Sequence, residues 1–248
     1  MTHMPEEAVY GFVYVGDDEQ GPMSAAAPGA RIGDRVDRRP WIVVDHHPCS
    51  VTLATWPGRL WRVRIIQKAS EQPAAYAGYT RATAVDVLDE APLSELFGAG
   101  GEAVVDLLRS IAHLPLAVID ALSLSNDEQA ARCCNAVWDR WLADVDPDSP
   151  FLGDDHAGIL AMGPTVPRSP VGAAPSVLHA ELRKRALALV GGAAFVVDDE
   201  EEGFNAAWSR AAASLQHALF ALGADARYVS AAEREQLQRA WQAAAATG

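Results

Sequence analysis

Trp56-Pro57-Gly58-Arg59-Leu60-Trp61-Arg62-Val63-Arg64-Ile65-Ile66 is the stretch on which the expected fold turns. Successive side chains of an extended chain point to opposite faces. Trp61, Val63 and Ile65 therefore share one face of a strand, and Leu60, Arg62, Arg64 and Ile66 share the other. The first face packs inward; the second presents a basic stripe. Pro57 is preset for the second position of a type II turn, and Gly58 takes the positive φ of the third. That turn predicts antiparallel pairing of residues 51–56 with residues 60–66.

Working outward, the N-terminal part up to about Glu90 consists of short β-branched and aromatic runs separated by turn residues. Strands are expected at 9–15, 41–45, 51–56, 60–66 and 79–88. Residues 16–30, rich in Gly, Ala, Pro and acids, read as an exposed loop. After Pro92 the chain becomes Ala- and Leu-rich with helical periodicity. Val104, Leu107, Leu108, Ile111 and Leu114 recur on one helix face. Ser125-Asn126-Asp127-Glu128 matches a capping box, opening a helix to about Leu142 with Ala131, Cys134, Trp138 and Trp141 as its stripe. Leu178, Leu182, Ala186 and Leu189 mark another helix, followed by a short strand at 194–197. Trp208, Ala211, Ala212, Leu215, Leu219 and Leu222 give the cleanest amphipathic stripe. Ser230-Ala231-Ala232-Glu233 opens a final helix bearing Leu237 and Trp241. The expected fold class is α+β: residues 1–91 form a mainly antiparallel β-sheet region. Residues 92–248 are mainly α-helical, with a Pro-rich loop at 144–175.

Charge is segregated along this chain. Between Arg31 and Arg81 there are nine basic residues and four acids, an excess of five positive charges in a chain of net −13. The same window holds Trp41, Trp56 and Trp61. The overall acidity disfavours nucleic acid, whose binding comes largely from neutralised phosphates. The longest uncharged apolar stretch, 186–197, falls short of the ~20 residues that cross a bilayer, so no membrane span is expected. No secretory signal is read at the N-terminus. Three cysteines, two of them adjacent, argue against a disulfide framework and place the chain in the cytoplasm.

Several clusters invite chemistry. Asp45, His46 and His47, followed by Pro48 and Cys49, form the densest set of ligands. With His156 they define a candidate site for zinc or another divalent metal. Its plainer reading is a polar strand end before a proline turn. Cys49 beside His47 is a weaker nucleophile candidate, because catalytic Cys and His come from separate segments. Asp144, Asp146, Asp148 and Asp155 are spaced like a calcium loop, but Ser149 and Asp155 stand where an EF-hand needs Gly and Glu. Gly98-Ala99-Gly100-Gly101-Glu102-Ala103 resembles a dinucleotide fingerprint, yet Pro92 and an intervening segment separate it from the preceding strand. The glycines read instead as a helix entry. The acids 198–202 complement the N-terminal dipole of a helix at Phe204. His217 reads as solvent-facing, and Cys133 and Cys134 as small buried hydrophobes. No nucleophile elbow, phosphate loop or His-Glu-x-x-His occurs.

No catalytic or cofactor set emerges, so the leading expectation is a protein-interaction module, immunity- or adaptor-like, that binds another protein. Trp56, Arg59, Arg62 and Arg64 are its candidate contact residues. Two alternatives stand beside it: a metal-dependent hydrolase built on the Asp45, His46 and His47 cluster, and a nucleic-acid-binding module using the basic sheet. A further expectation is that the sheet's arginines pair with acids of the helical half.

Overall fold

In the computed structural model, the alternation read at residues 60–66 appears in a strand that is longer than expected. The structure describes residues 9–34, 36–37, 39–53, 55–74, 78–125, 127–147, 169–198 and 201–246. The chain divides into two compact units, Met1–Leu96 and Phe97–Gly248. The fold class is α+β.

The first unit contains β1 (Tyr10–Gly16), β2 (Arg31–Gly33), β3 (Ile42–Asp45), β4 (Gly58–Lys68) and β5 (Tyr79–Ala91). β4 is central and antiparallel to β1 on one side and to β5 on the other. The far edge of β5 takes β3 and then β2. β3 returns to β1 through the pair Phe12↔Asp45, which closes the sheet on itself as a small barrel. Val13, Ile32, Ile42, Val44, Trp61, Val63, Val85 and Val87 fill the interior, and Ile65 packs against them. The inward face assigned to Trp61, Val63 and Ile65 is therefore the core face.

The expected hairpin between 51–56 and 60–66 does not form. β4 pairs with β1 and β5 instead, and residues 48–50 form a 3-10 turn. The Trp56–Pro57 bond is cis, and Gly58 opens β4 opposite Gly16 without a positive φ. Val51 and Trp56 are buried, so this segment packs by its side chains and not by a ladder. Residues 16–30 are not merely an exposed loop. Met23 inserts into the core, and Ala30 and Gly29 exchange backbone hydrogen bonds with Val87.

The second unit holds α1 (Gly101–Ile111), α2 (Leu116–Ser123), α3 (Glu128–Val145), α4 (Ala174–Val190), α5 (Ala206–Gly223) and α6 (Ala231–Ala245). It also holds a hairpin of β6 (Phe195–Asp198) and β7 (Glu201–Phe204). Among the described residues α5 is the central helix of this unit and touches the other five. Beyond the expected stripe, Ser214, Ala218, Phe220 and Ala221 are buried too, because α5 is covered on more than one side. Trp138 is fully buried, stacked on Phe220 at 6.0 Å between ring centroids.

The caps carry three lessons. Ser230 and Glu233 form the expected capping box. The α3 cap is Asp127, whose carboxylate accepts from the Ala130 amide, and not Ser125. The α3 stripe shifts accordingly to Ala130, Cys134, Val137, Trp138 and Leu142, leaving Ala131 exposed. The acids expected to precede a helix at Phe204 fall partly in β7, and the helix starts at Ala206 with Asn205 as its cap. Three arginines donate to backbone carbonyls near helix ends: Arg185 to Leu114, Arg210 to Ser123, and Arg234 to Ala221 and Ala224. Such donors satisfy carbonyls that a helix C-terminus leaves without intrahelical partners.

Candidate functional site

Register positions the arginines of β4. Tyr10 and Phe12 of β1 stand across from Arg64 and Arg62, and Asp86 and Asp89 of β5 stand across from the same two residues on the other side. Two rows result, Tyr10–Arg64–Asp86 and Phe12–Arg62–Asp89, on the face of β4 opposite Trp61. In the register each arginine stands between an aromatic residue and an acidic one.

The carboxylates hold the guanidinium groups. Arg62 donates to Asp89 at 2.7 Å and also to Glu95. Arg64 donates to Asp86 at 2.6 Å, while Arg31 of β2 makes a two-pronged contact with the same carboxylate at 2.7 and 3.1 Å. Hydrogen bonds from Arg31 and then Arg64 pull the Asp86 carboxyl down to about 2. The Arg62 and Arg64 side chains nevertheless remain 39% and 43% exposed, so their stems and edges still meet solvent.

The partners of these arginines thus come from their own unit: Asp86 and Asp89 lie on β5, and Glu95 in the 3-10 turn Leu93–Phe97. This differs from the expected pairing with the helical half. The reason is register, which places β5 acids directly beside β4 arginines, where cross-strand pairs meet.

The four contact candidates separate. Arg62 and Arg64 share the outer face. Arg59 is exposed near the start of β4 opposite Val15, in a hollow with Asp17, Glu19 and Trp61. Trp56 is 7% exposed and belongs to the interior. Tyr10 and Phe12 join the face instead. Sequence parity alone places them on one side of β1, but only the β1–β4 register brings them to the arginines.

A second cluster was not read from sequence. The Trp41 ring has the Arg39 and Arg81 guanidinium carbons at 4.7 and 4.9 Å from its centroid, within cation–π range. Glu71 bonds both arginines, at 3.0 and 3.1 Å. Asp37 accepts from the Trp41 indole at 3.1 Å.

The ligand cluster disperses. His46 is engaged with the Thr80 hydroxyl at 2.8 Å, His47 precedes the short turn at Pro48 with its carbonyl accepting from the Ser50 amide, and Cys49 donates to the Glu95 carbonyl. Among the described residues no three His, Cys, Asp or Glu side chains are grouped to hold a metal ion. His156, Asp148 and Asp155 lie outside the described residues. Asp45 is the strand residue that closes the barrel against Phe12.

The glycine run at Gly98 is a packing device. Gly98 has a φ of 83°, and its position would put a Cβ 2.9 Å from the Pro170 carbonyl oxygen. A Cβ on Gly100 would stand 1.8 Å from the Leu222 carbonyl oxygen, and the Gly100 amide donates to Gly223 at 3.3 Å. The absent side chains let the start of α1 approach the end of α5. His217, expected in solvent, is half-buried, and burial holds its imidazole down to about 4 against the opposing pull of Asp127. Cys134 is buried and Cys133 half-buried.

Among the described residues no helix is long and apolar enough to cross a membrane. In comparisons with known proteins, no family model, curated protein or solved structure matches the chain.

Proposed function

We propose that this chain is a protein-interaction module, immunity- or adaptor-like in manner, that binds another protein in the cytoplasm. Its contact surface is the outer face of β1, β4 and β5, centred on Arg62 and Arg64; Arg59, in its hollow beside Trp61, and the buried Trp56 lie outside it. The observation that carries this reading is the pair of aromatic–arginine–carboxylate rows. Arginine and aromatic side chains are the types enriched at protein interfaces. Carboxylates that already orient the guanidinium groups reduce the ordering cost on binding. Three arginines against Asp86, Asp89 and Glu95 leave the face close to neutral. A nearly neutral face suits a protein partner and offers little to a phosphate backbone. Three cysteines, two of them adjacent in sequence, accord with a reducing compartment.

The test is capture from native lysate with identification by mass spectrometry, run in parallel on the parent and on Arg62→Ala/Arg64→Ala. Thermal midpoints and circular dichroism control for folding. One partner is expected in stoichiometric yield with the parent and about tenfold less with the double variant, the size of loss seen for contact-centre residues. No stoichiometric partner, or equal recovery from both proteins, overturns the proposal.

A further inference from the structure

The barrel closes unevenly. β1 and β4 share seven register pairs, from Tyr10↔Arg64 to Gly16↔Gly58, whereas β1 and β3 share one, Phe12↔Asp45. Past that pair β1 stays with β4 and β3 stays with β5, so the wall parts along a seam. A groove of about 430 Å³ occupies it. That volume falls within the range of ligand-binding clefts.

Three properties define what fits. The first is backbone direction. The His46 amide donates to the Gly78 carbonyl, and hydrogen bonding to β5 then falls on every second residue of β3, at Val44 and Ile42. Val43 lies between these and turns its N–H and C=O toward the seam. The second is the lining, where Tyr14, Trp41 and Tyr79 offer rings and Val43 an exposed apolar side chain. The third is charge. Among the described residues, the charged side chains of the lining are Glu19 and Asp45, both acidic. Arg39 and Arg81, which approach the Trp41 ring, do not line the groove and are bonded to Glu71.

We infer that this seam is a docking site for an extended segment of another protein that alternates apolar and cationic side chains. The segment adds to β3 at Val43 by main-chain hydrogen bonds. Its apolar side chains lie against the rings, and a Lys or Arg faces Glu19 and Asp45. Addition of a strand to exposed backbone is an established mode of peptide capture. Acidic lining selects the cationic sequence, with like charge rejecting the acidic one. This site is separate from the arginine face and does not rest on it.

The test uses the full chain and a fluorescein-labelled, acetylated Lys-Val-Lys-Val-Lys-Val-Lys peptide, followed by anisotropy. Controls are the same peptide with Glu in place of Lys, and one with Gly in place of Val. Saturable binding is expected for the first peptide alone. Glu19→Gln/Asp45→Asn is expected to weaken it by about tenfold, as for loss of a paired charge at an interface. Hydrogen exchange at the Val43 amide slows when peptide saturates the protein. Equal binding of the Gly peptide shows attraction by net charge alone and overturns the inference. So does equal binding of the Glu peptide, no binding of any peptide, indifference to Glu19→Gln/Asp45→Asn, or an unchanged Val43 amide.

Discussion

Arg64 and Asp86 stand opposite each other in the β4–β5 register and meet at 2.6 Å, with Arg31 sharing the same carboxylate. One carboxylate thereby fastens the short β2 and the central β4 to β5.

This carboxyl titrates at about 2 in the fold against an ordinary value of 3.8. Between those values the unfolded chain binds more protons than the folded one. The stabilisation it supplies is complete above pH 3.8 and is lost as pH falls through 2. Asp86→Asn is expected to lower the thermal midpoint at neutral pH and to flatten its decline between those two values. Unfolding curves of parent and variant across this range, with equal slopes, would contradict the assignment.

His217 acts in a different window. Its folded value of about 4 lies below the ordinary 6.5, so the unfolded chain again binds more protons in between. Its stabilising contribution is present above pH 6.5 and declines as pH falls toward 4. His217→Gln is expected to remove that part of the pH dependence and leave the lower window intact. Denaturant titrations at pH values spanning the interval measure it directly.

Gly100→Ala places a methyl group against the Leu222 carbonyl, 1.8 Å from the oxygen before relaxation. The expected cost is about 1–3 kcal/mol, the usual range for overpacking. Urea unfolding reads it. A variant as stable as the parent would refute close approach as the reason for this glycine.

Leu219→Ala tests α5 as the centre of the second unit. Leu219 is fully buried. Its truncation is expected to cost about 2–5 kcal/mol through lost burial and the cavity left behind. Exposed Leu124→Ala, the control at 84% exposure, should stay within about 0.5 kcal/mol of the parent.

Periodicity made much of this fold legible, and it failed where contacts distant in sequence decide. The stripe from Val104 to Leu114 is buried as read, as are Trp61 and Val63 of the inward face, with Ile65 half-buried against them, because burial of a repeating face leaves a local trace. Trp56-Pro57-Gly58 has turn chemistry, yet no hairpin from 51–56 forms, because tertiary surroundings bury Val51 and Trp56. The three-residue β2 and the Leu116–Ser123 helix are too short to show a period in the sequence. At the candidate site, Arg62 and Arg64 were found by alternation. Tyr10, Phe12, Asp86 and Asp89 needed the register of strands far apart in sequence. Arg39, Glu71 and Arg81 gather on Trp41 for the same reason.

β2 occupies the end of the sheet order, and its character bears on how the molecule behaves in a crowd. It is three residues long, begins with an exposed arginine held by Asp86, and ends in Gly33 at a φ of 84°. The ladder with β5 ends at Gly33, paired with Ala84. A border so brief and charged gives a neighbouring chain almost no template for continuing the sheet. That margin is therefore a poor template for edge-to-edge pairing between copies of this protein.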